Sequence, residues 1–449
     1  MMAARAISHQ RCQEAALVMR RNLSVDGART DSYSLIRLHR DPIVLVQYHH
    51  NQEVAMYSYR KLDDPRQVLP IAKSAFALRT PEQGSDEDWL DAAMKLEREL
   101  YGVYDGDSLL SAFMLYDFDM RLRNSVIPMG GIGLLCSRLD ARGKGSVRIM
   151  LAGALQTMKD RGQVVSVLDP FNESFYRKYG WEKFSRRQIT ELPPGILQLP
   201  ETPDSDIVAT DLTFPDDDAM AFYNDYAAKH YTLAQRSPQQ WKQRMKIFAW
   251  SEDVATRGVV RFTQDDHIAG LMEYELSRKA TEYRSTFTVT LLATETNTAL
   301  HEMLRYLKRL SHQISTVRLS LPVDVDLWPY FSDRPKDCTV RDEFMIRIVS
   351  MEALDGLAID APNLSVVIDV SDPQADWNQG VWTLSIDSGL LRVHRGGHPD
   401  LHCGIGALSS VLSGFSSFEE MIAAKLVEPL AAYLGQDFPK TIPFLADHF

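Results

Sequence analysis

Apolar positions recur along this chain with two spacings, and the spacing changes in a definite order. Residues 57–62, 101–104, 108–117 and 126–137 are short apolar or alternating runs, which read as strands. Asp105-Gly106 separates two of them and is a hairpin signal. Asp64 caps a helix that starts at Pro65, and Ser85 to Asp88 open another. After 126–137 the spacing lengthens. Val147, Met150, Leu151, Ala154, Leu155 and Met158 form one helical stripe, so a helix is expected over 143–161 with Gly162 as its stop. Residues 163–168 return to a short strand, which Asp169-Pro170 breaks. Asn172 caps a short helix holding 174–179, and Gly180 ends it. The expected order is strand, glycine-rich turn, helix, strand, short helix.

The order then repeats. Prolines and acids around 195–205 form a linker. Phe214-Pro215 and Ser237-Pro238 start helices, and 259–263 pairs with 268–275 across a polar turn. A strand at 285–293 leads through Thr294-Glu295-Thr296-Asn297-Thr298 to a helix over 299–310, and 345–349 is a further strand. A third pattern follows Leu354-Asp355-Gly356. Residues 364–370, 380–386 and 390–395 read as sheet strands, and Ser417 opens a helix to about residue 425. Residues 1–53 stand outside these patterns. They are either an artefact of a start site upstream of Met56 or an arm with a strand at 42–48.

Composition narrows the class. The chain has 449 residues, room for about three domains, with 45% hydrophobic and 24% charged residues as in a globular protein. A net charge of −11 argues against nucleic acid or an anionic membrane surface as partner and favours cationic ones. Cys12, Cys136, Cys338 and Cys403 have no metal-ligand spacing, so no metal is expected and a reducing compartment fits. No apolar run approaches the roughly 20 residues of a membrane span, and no apolar segment follows the basic first residues as in a secretory signal. The expected location is the cytoplasm.

The chemistry concentrates in Arg142-Gly143-Lys144-Gly145-Ser146-Val147-Arg148, between a strand and a helix. A helix start carries unpaired N–H groups and a positive dipole end, and glycines let the backbone approach an anion. A Walker loop needs GxxxxGK[ST], which is absent. A dinucleotide fingerprint needs a third glycine, and Val147-Arg148 stand where it belongs.

The spacing R-x-x-G-x-x resembles instead the pyrophosphate loop of Gcn5-related (GNAT) N-acetyltransferases, although Val147 departs from the usual small last residue. The block GGIG, RGKG, LDPF, FYRKYGW resembles more closely the "enhanced intracellular survival" acetyltransferases of bacteria, from about Tyr57 to Phe449. That resemblance implies an α/β (α+β) fold of tandem GNAT-like domains followed by a sterol-carrier-protein-like domain. The boundaries would be 1–53 for the extension, 54–200 for the acetyl-CoA domain, 201–352 for a degenerate second copy, and 353–449 for the last domain. The turn 294–298 has no glycine and carries an acid, so the second copy is not expected to hold a pyrophosphate. Residues 401–412 read as a packed core, with the wall of a lipid cavity as the other reading.

The resemblance also implies roles. Acetyl-CoA is the co-substrate, and the acceptor is a small cationic amine or a lysine side chain. Arg142 to Arg148 hold the pyrophosphate, Leu135, Cys136 and Ser137 lie along the pantetheine arm, and Phe171 and Asn172 touch its thiol end. Cys136 has no His–acid pair near it in sequence and reads as an inert strand cysteine. Tyr176 is the acid that protonates the leaving thiolate, with Tyr179 as its rival. The base is the α-carboxylate of Phe449, with Asp447 and His448 as substitutes. Trp89 and Leu90 read as core residues or as walls of the acceptor pocket. The family association is a homohexamer, a dimer of trimers. A reading from another class is a non-catalytic CoA sensor or a lipid or sterol carrier.

Overall fold

The computed structural model describes residues 57–76, 98–199, 206–246, 254–279, 283–431 and 437–447, with backbone alone for 33–38, 41–47, 56, 98 and 254–255. The helix expected from Ser85, with Trp89 and Leu90, lies outside the described residues, as do His448 and Phe449. Strands β1 (Tyr33–Leu38) and β2 (Asp41–Gln47) form an antiparallel hairpin in a unit of their own. Everything from Ser58 onward is one compact unit.

That unit opens within β3 (Met56–Lys61), from Ser58 on, and continues with helix α1 (Leu69–Phe76). β4 (Arg98–Asp105) and β5 (Ser108–Leu122) make the hairpin expected at Asp105-Gly106. β6 (Ser125–Ser137) is antiparallel to β5, and helix α2 (Ser146–Asp160) follows. This helix starts three residues later than its apolar stripe suggests, because Gly143 and Gly145 have φ of +76° and +84° and cannot continue a right-handed turn. Its stripe of Met150, Leu151, Ala154, Leu155 and Met158 is buried. β7 (Val165–Leu168) lies parallel to β6, then come the short helix α3 (Glu173–Arg177) and β8 (Glu182–Lys183).

β9 (Arg186–Leu192) does not stay in this sheet. It crosses to a second one, of order β10-β12-β13-β14-β15-β9-β16. Its other members are β10 (Val208–Leu212), β12 (Val254–Gln264), β13 (His267–Ser277), β14 (Ser285–Thr294), β15 (Ile314–Leu321) and β16 (Asp337–Asp342). Helices α4 (Asp217–Ala227), α5 (Pro238–Arg244) and α6 (Asn297–Arg309) pack in this half. The exchange is reciprocal. β17 (Met345–Ile348) leaves the second half and inserts between β7 and β8, and β11 (Ala234–Gln235) adds to β5. Each sheet is thus completed by strands from the other half.

The last domain is a five-stranded sheet of order β20-β19-β18-β21-β22. It comprises β18 (Leu364–Ser371), β19 (Gly380–Asp387), β20 (Leu390–Arg395), β21 (Leu401–Gly404) and β22 (Val427–Pro429), with α7 (Ile405–Leu412) and α8 (Phe418–Ala423). All eight residues of α7 are buried. They fill the contact with the first sheet, in one hydrophobic cluster with Met120, Val165, Ile346 and Ile348. Even the serines of α7 are used there. Ile348 N donates to Ser409 Oγ (2.8 Å), and Ser410 Oγ donates to Lys183 O (2.8 Å). Residues 405–412 are therefore packed core, while His402 is half-buried and Gly404 exposed.

Candidate active site

β6 and β7 pair only from Met129–Val165 to Ile132–Leu168, and then part. On its other edge β6 slips against β5, since Ala112 faces Cys136 while Met114 faces Gly133. The extra residue sits at Leu134, whose φ is +50°. A left-handed leucine costs about 1–2 kcal/mol, and such strain inside a bulge re-aims backbone groups. Among the described residues, Leu134 and Leu135, at the wedge where β6 and β7 part, have no ladder partner on either side.

The glycine turn lies at the mouth of this wedge. Arg142, Gly143 and Lys144 are exposed, Gly145, Val147 and Arg148 are half-buried, and Ser146 is buried. The helical ladder begins with Ile149 N donating to Gly145 O, and the start of α2 has no side-chain cap. The first-turn N–H groups are thus left for a ligand, and a diphosphate beside Arg142 and Lys144 fits the charge. Below them Ser137 Oγ donates to Ser111 Oγ (3.0 Å), which donates to Ser146 Oγ (2.6 Å), tying β6, β5 and α2 together. The second copy differs. The start of α6 is capped by Thr296, whose Oγ1 accepts from Ala299 N (3.2 Å), and Glu295 adds negative charge. Its N–H groups are occupied and its field is wrong for phosphate.

Cys136 is buried, and burial pushes its thiol up to about 12. It is a thiol at neutral pH and not a nucleophile.

Across the wedge, Asn172 caps α3 by accepting from Phe175 N (3.1 Å) and Ser174 Oγ (2.8 Å). Its oxygen is spent on the helix, so only its amide nitrogen is available to a ligand. Phe171 is 69% exposed and packs edge-on against Tyr176, with ring centroids 5.4 Å apart. Tyr176 is 3% exposed. Burial, and secondarily the charge of Asp169, raise its pKa above the ordinary phenol value, so it keeps its proton. Among the described residues, none hydrogen-bonds the Tyr176 hydroxyl. Tyr179 is half-buried against Phe175, 5.3 Å between centroids.

The C-terminal segment runs between the two GNAT-like halves. Phe444, Leu445 and Ala446 are buried. Arg187 Nη2 donates to Leu445 O (2.9 Å), and Thr232 Oγ1 donates to Phe444 O (3.0 Å). Asp447 then meets a buried charge cluster. Arg236 Nε donates to Asp447 Oδ1 (2.7 Å), Arg236 Nη1 donates to Glu273 Oε2 (3.0 Å), and Arg244 binds the other Glu273 oxygen. The Arg236 guanidinium lies over Tyr223 at 4.2 Å and Trp241 at 4.4 Å. Asp447 is therefore committed to Arg236 and is withdrawn as a substitute base. Sequence reasoning missed Arg236, Arg244 and Glu273, which come from three separate elements.

Residues 57–184 match an acetyltransferase (GNAT) domain family, and 232–348 match a second acetyltransferase (GNAT) domain family. Residues 351–446 match the sterol carrier protein domain family. An uncharacterized N-acetyltransferase of Streptomyces avermitilis is 22% identical over 341 residues, which is 73% of this chain and 83% of that protein. The chain is an acyltransferase. GNAT domains use acetyl-CoA as co-substrate and, in general terms, an amine as acceptor. Two solved structures share the acyltransferase's fold. A GCN5-related N-acetyltransferase from Anabaena variabilis matches with a TM-score of 0.75 at 19% identity, over 88% of this chain and 100% of that one. Eis1 from Mycobacterium abscessus matches with a TM-score of 0.70 at 20% identity, over 87% of this chain and 100% of that one. Among the described residues, no helix is long and apolar enough to cross a membrane.

Proposed function

We propose that the protein is an N-acetyltransferase of the enhanced intracellular survival type, acting on a primary amine of a cationic acceptor such as an aminoglycoside, a polyamine or a lysine side chain. It works in the cytoplasm as a homohexamer, a dimer of trimers. What supports this reading is a strained bulge at Leu134 where β6 parts from β7, an uncapped helix start behind Gly145, and a buried Tyr176 on the short helix that follows β7.

Acetyl-CoA supplies its acetyl group as a thioester. Gly143 to Arg148 bind the diphosphate, and Arg142 and Lys144 neutralise it. The free backbone groups of Leu134 and Leu135 take the pantetheine amides and the thioester oxygen, with Cys136, Ser137, Phe171 and Asn172 along the same channel. The α-carboxylate of Phe449 takes a proton from the acceptor ammonium, with His448 as the substitute. The freed amine attacks the carbonyl carbon as the carbon–sulfur bond breaks. Tyr176 holds its proton until then and gives it to the sulfur, and the second proton released by the acylated nitrogen restores the phenol. The net charge of −11 favours a cationic acceptor by long-range attraction.

Mass spectrometry of amines incubated with acetyl-CoA, using wild type and a chain with one glycine added after Phe449, tests this reading. Acetylated product in wild type and its loss in the extended chain are expected. Tight CoA binding with no product from any amine would put the sensor or carrier reading in its place.

A further inference from the structure

Helix α3, which carries Tyr176, is held at its C-terminal end from the sterol-carrier-like domain. The link is Arg347 in β17, whose side chain is 0% exposed. Its Nη1 donates to Tyr179 O (2.7 Å), and its Nη2 donates to both oxygens of Asp372 (2.7 and 2.8 Å). Asp372, also 0% exposed, follows β18 and is fixed in turn by Asn378 Nδ2 (3.0 Å) and the backbone of Gln374 (3.2 Å). The guanidinium stands 5.3 Å over Trp181.

The turn after α3 is shaped around this cation. Gly180 has φ +89°, and a Cβ there would lie 1.8 Å from Arg347 Nη1. Only glycine lets the guanidinium through to the Tyr179 carbonyl. Tyr179 N and Trp181 N both donate to Tyr176 O, at 2.9 and 3.3 Å. Arg347, paired through Nη2 with Asp372 and through Nη1 with the Tyr179 carbonyl, thus fixes the turn that closes on Tyr176. A planar, two-pronged donor suits this geometry, and a point charge does not. A cation at the last carbonyls also opposes the negative end of the helix dipole.

We infer that Arg347, held by Asp372, is a positioning residue for Tyr176, and that the sterol-carrier-like domain serves the transfer reaction through this pair. The inference rests on the reading of Tyr176 as the general acid. It accounts for the pairing of two fully buried charges.

The test is a double-mutant cycle on the full-length enzyme, with thiol release as the assay. Arg347→Lys is one variant. Arg347→Met combined with Asp372→Asn is the second, and it removes both charges together so that no unpaired ion stays buried. Each is made in wild type and in Tyr176→Phe. The expected result is a kcat loss on the order of 10- to 100-fold, an unchanged KM for acetyl-CoA, and no further loss when Tyr176 is already phenylalanine. Equal losses in both backgrounds, or a change in KM with kcat unaltered, would overturn the positioning role while leaving the acid assignment in place. A Tyr176→Phe enzyme with undiminished kcat would overturn the acid assignment, and this inference with it.

Discussion

Arg236 and Asp447 are joined inside the protein, Nε to Oδ1 at 2.7 Å, although 210 positions of chain lie between them. The pair fastens the end of the last domain to the second GNAT-like half. Arg236 raised above its ordinary value and Glu273 lowered to about 2 describe one cluster, in which burial is outweighed by opposite charges.

Removing one partner leaves a buried charge underpaired. Asp447→Ala is expected to destabilise the fold by about 3 kcal/mol, since Glu273 still offsets part of the Arg236 charge. Urea unfolding against wild type checks this, and a midpoint unchanged by the substitution would show the pair to be energetically idle.

The same cluster sets an acid limit. The folded pKa of Glu273 is depressed, so its contribution is present above the unfolded carboxyl value near 4.3 and is lost as pH falls toward about 2. Urea midpoints should drop through that window. Glu273→Gln should lower stability at neutral pH and flatten the drop.

Gly145 sits at φ +84°, a conformation that costs an L side chain strain. Gly145→Ala is expected to strain the loop by about 1 kcal/mol and to shift the first N–H groups of α2 from the proposed diphosphate site. Calorimetry should find CoA bound roughly 10-fold more weakly, a cost of about 1.4 kcal/mol in binding. Equal affinity would remove the loop from the cofactor site.

Cys136 lies beside the proposed reacting centre and takes no part in it. Burial holds its thiol near pKa 12, so Cys136→Ala should keep thiol release within about two-fold of wild type, whereas loss of a catalytic nucleophile costs orders of magnitude.

Much of the wedge was legible in the sequence, because it is built from local signals. Gly143 and Gly145, the helical stripe from Met150 to Met158, and the Asn172 cap each act within a few residues. The bulge was not legible, since Leu134 interrupts an apolar run that reads as continuous strand. Arg347 was hidden for another reason. A charge between Ile346 and Ile348 reads as the wet face of an edge strand, yet β17 is paired on both sides and Arg347 is buried. The strand exchange and the Arg236–Asp447 pair depend on contacts across more than a hundred residues, and no local pattern encodes them.

The central claim is that Tyr176 delivers a proton to the leaving sulfur. Thiol release from acetyl-CoA with a reactive amine, compared between wild type and Tyr176→Phe, tests it most directly. The account predicts a kcat at least ~10²-fold lower with an unchanged KM for acetyl-CoA, because the phenol acts only as the bond breaks. A Tyr176→Phe enzyme that turns over at the wild-type rate would contradict it.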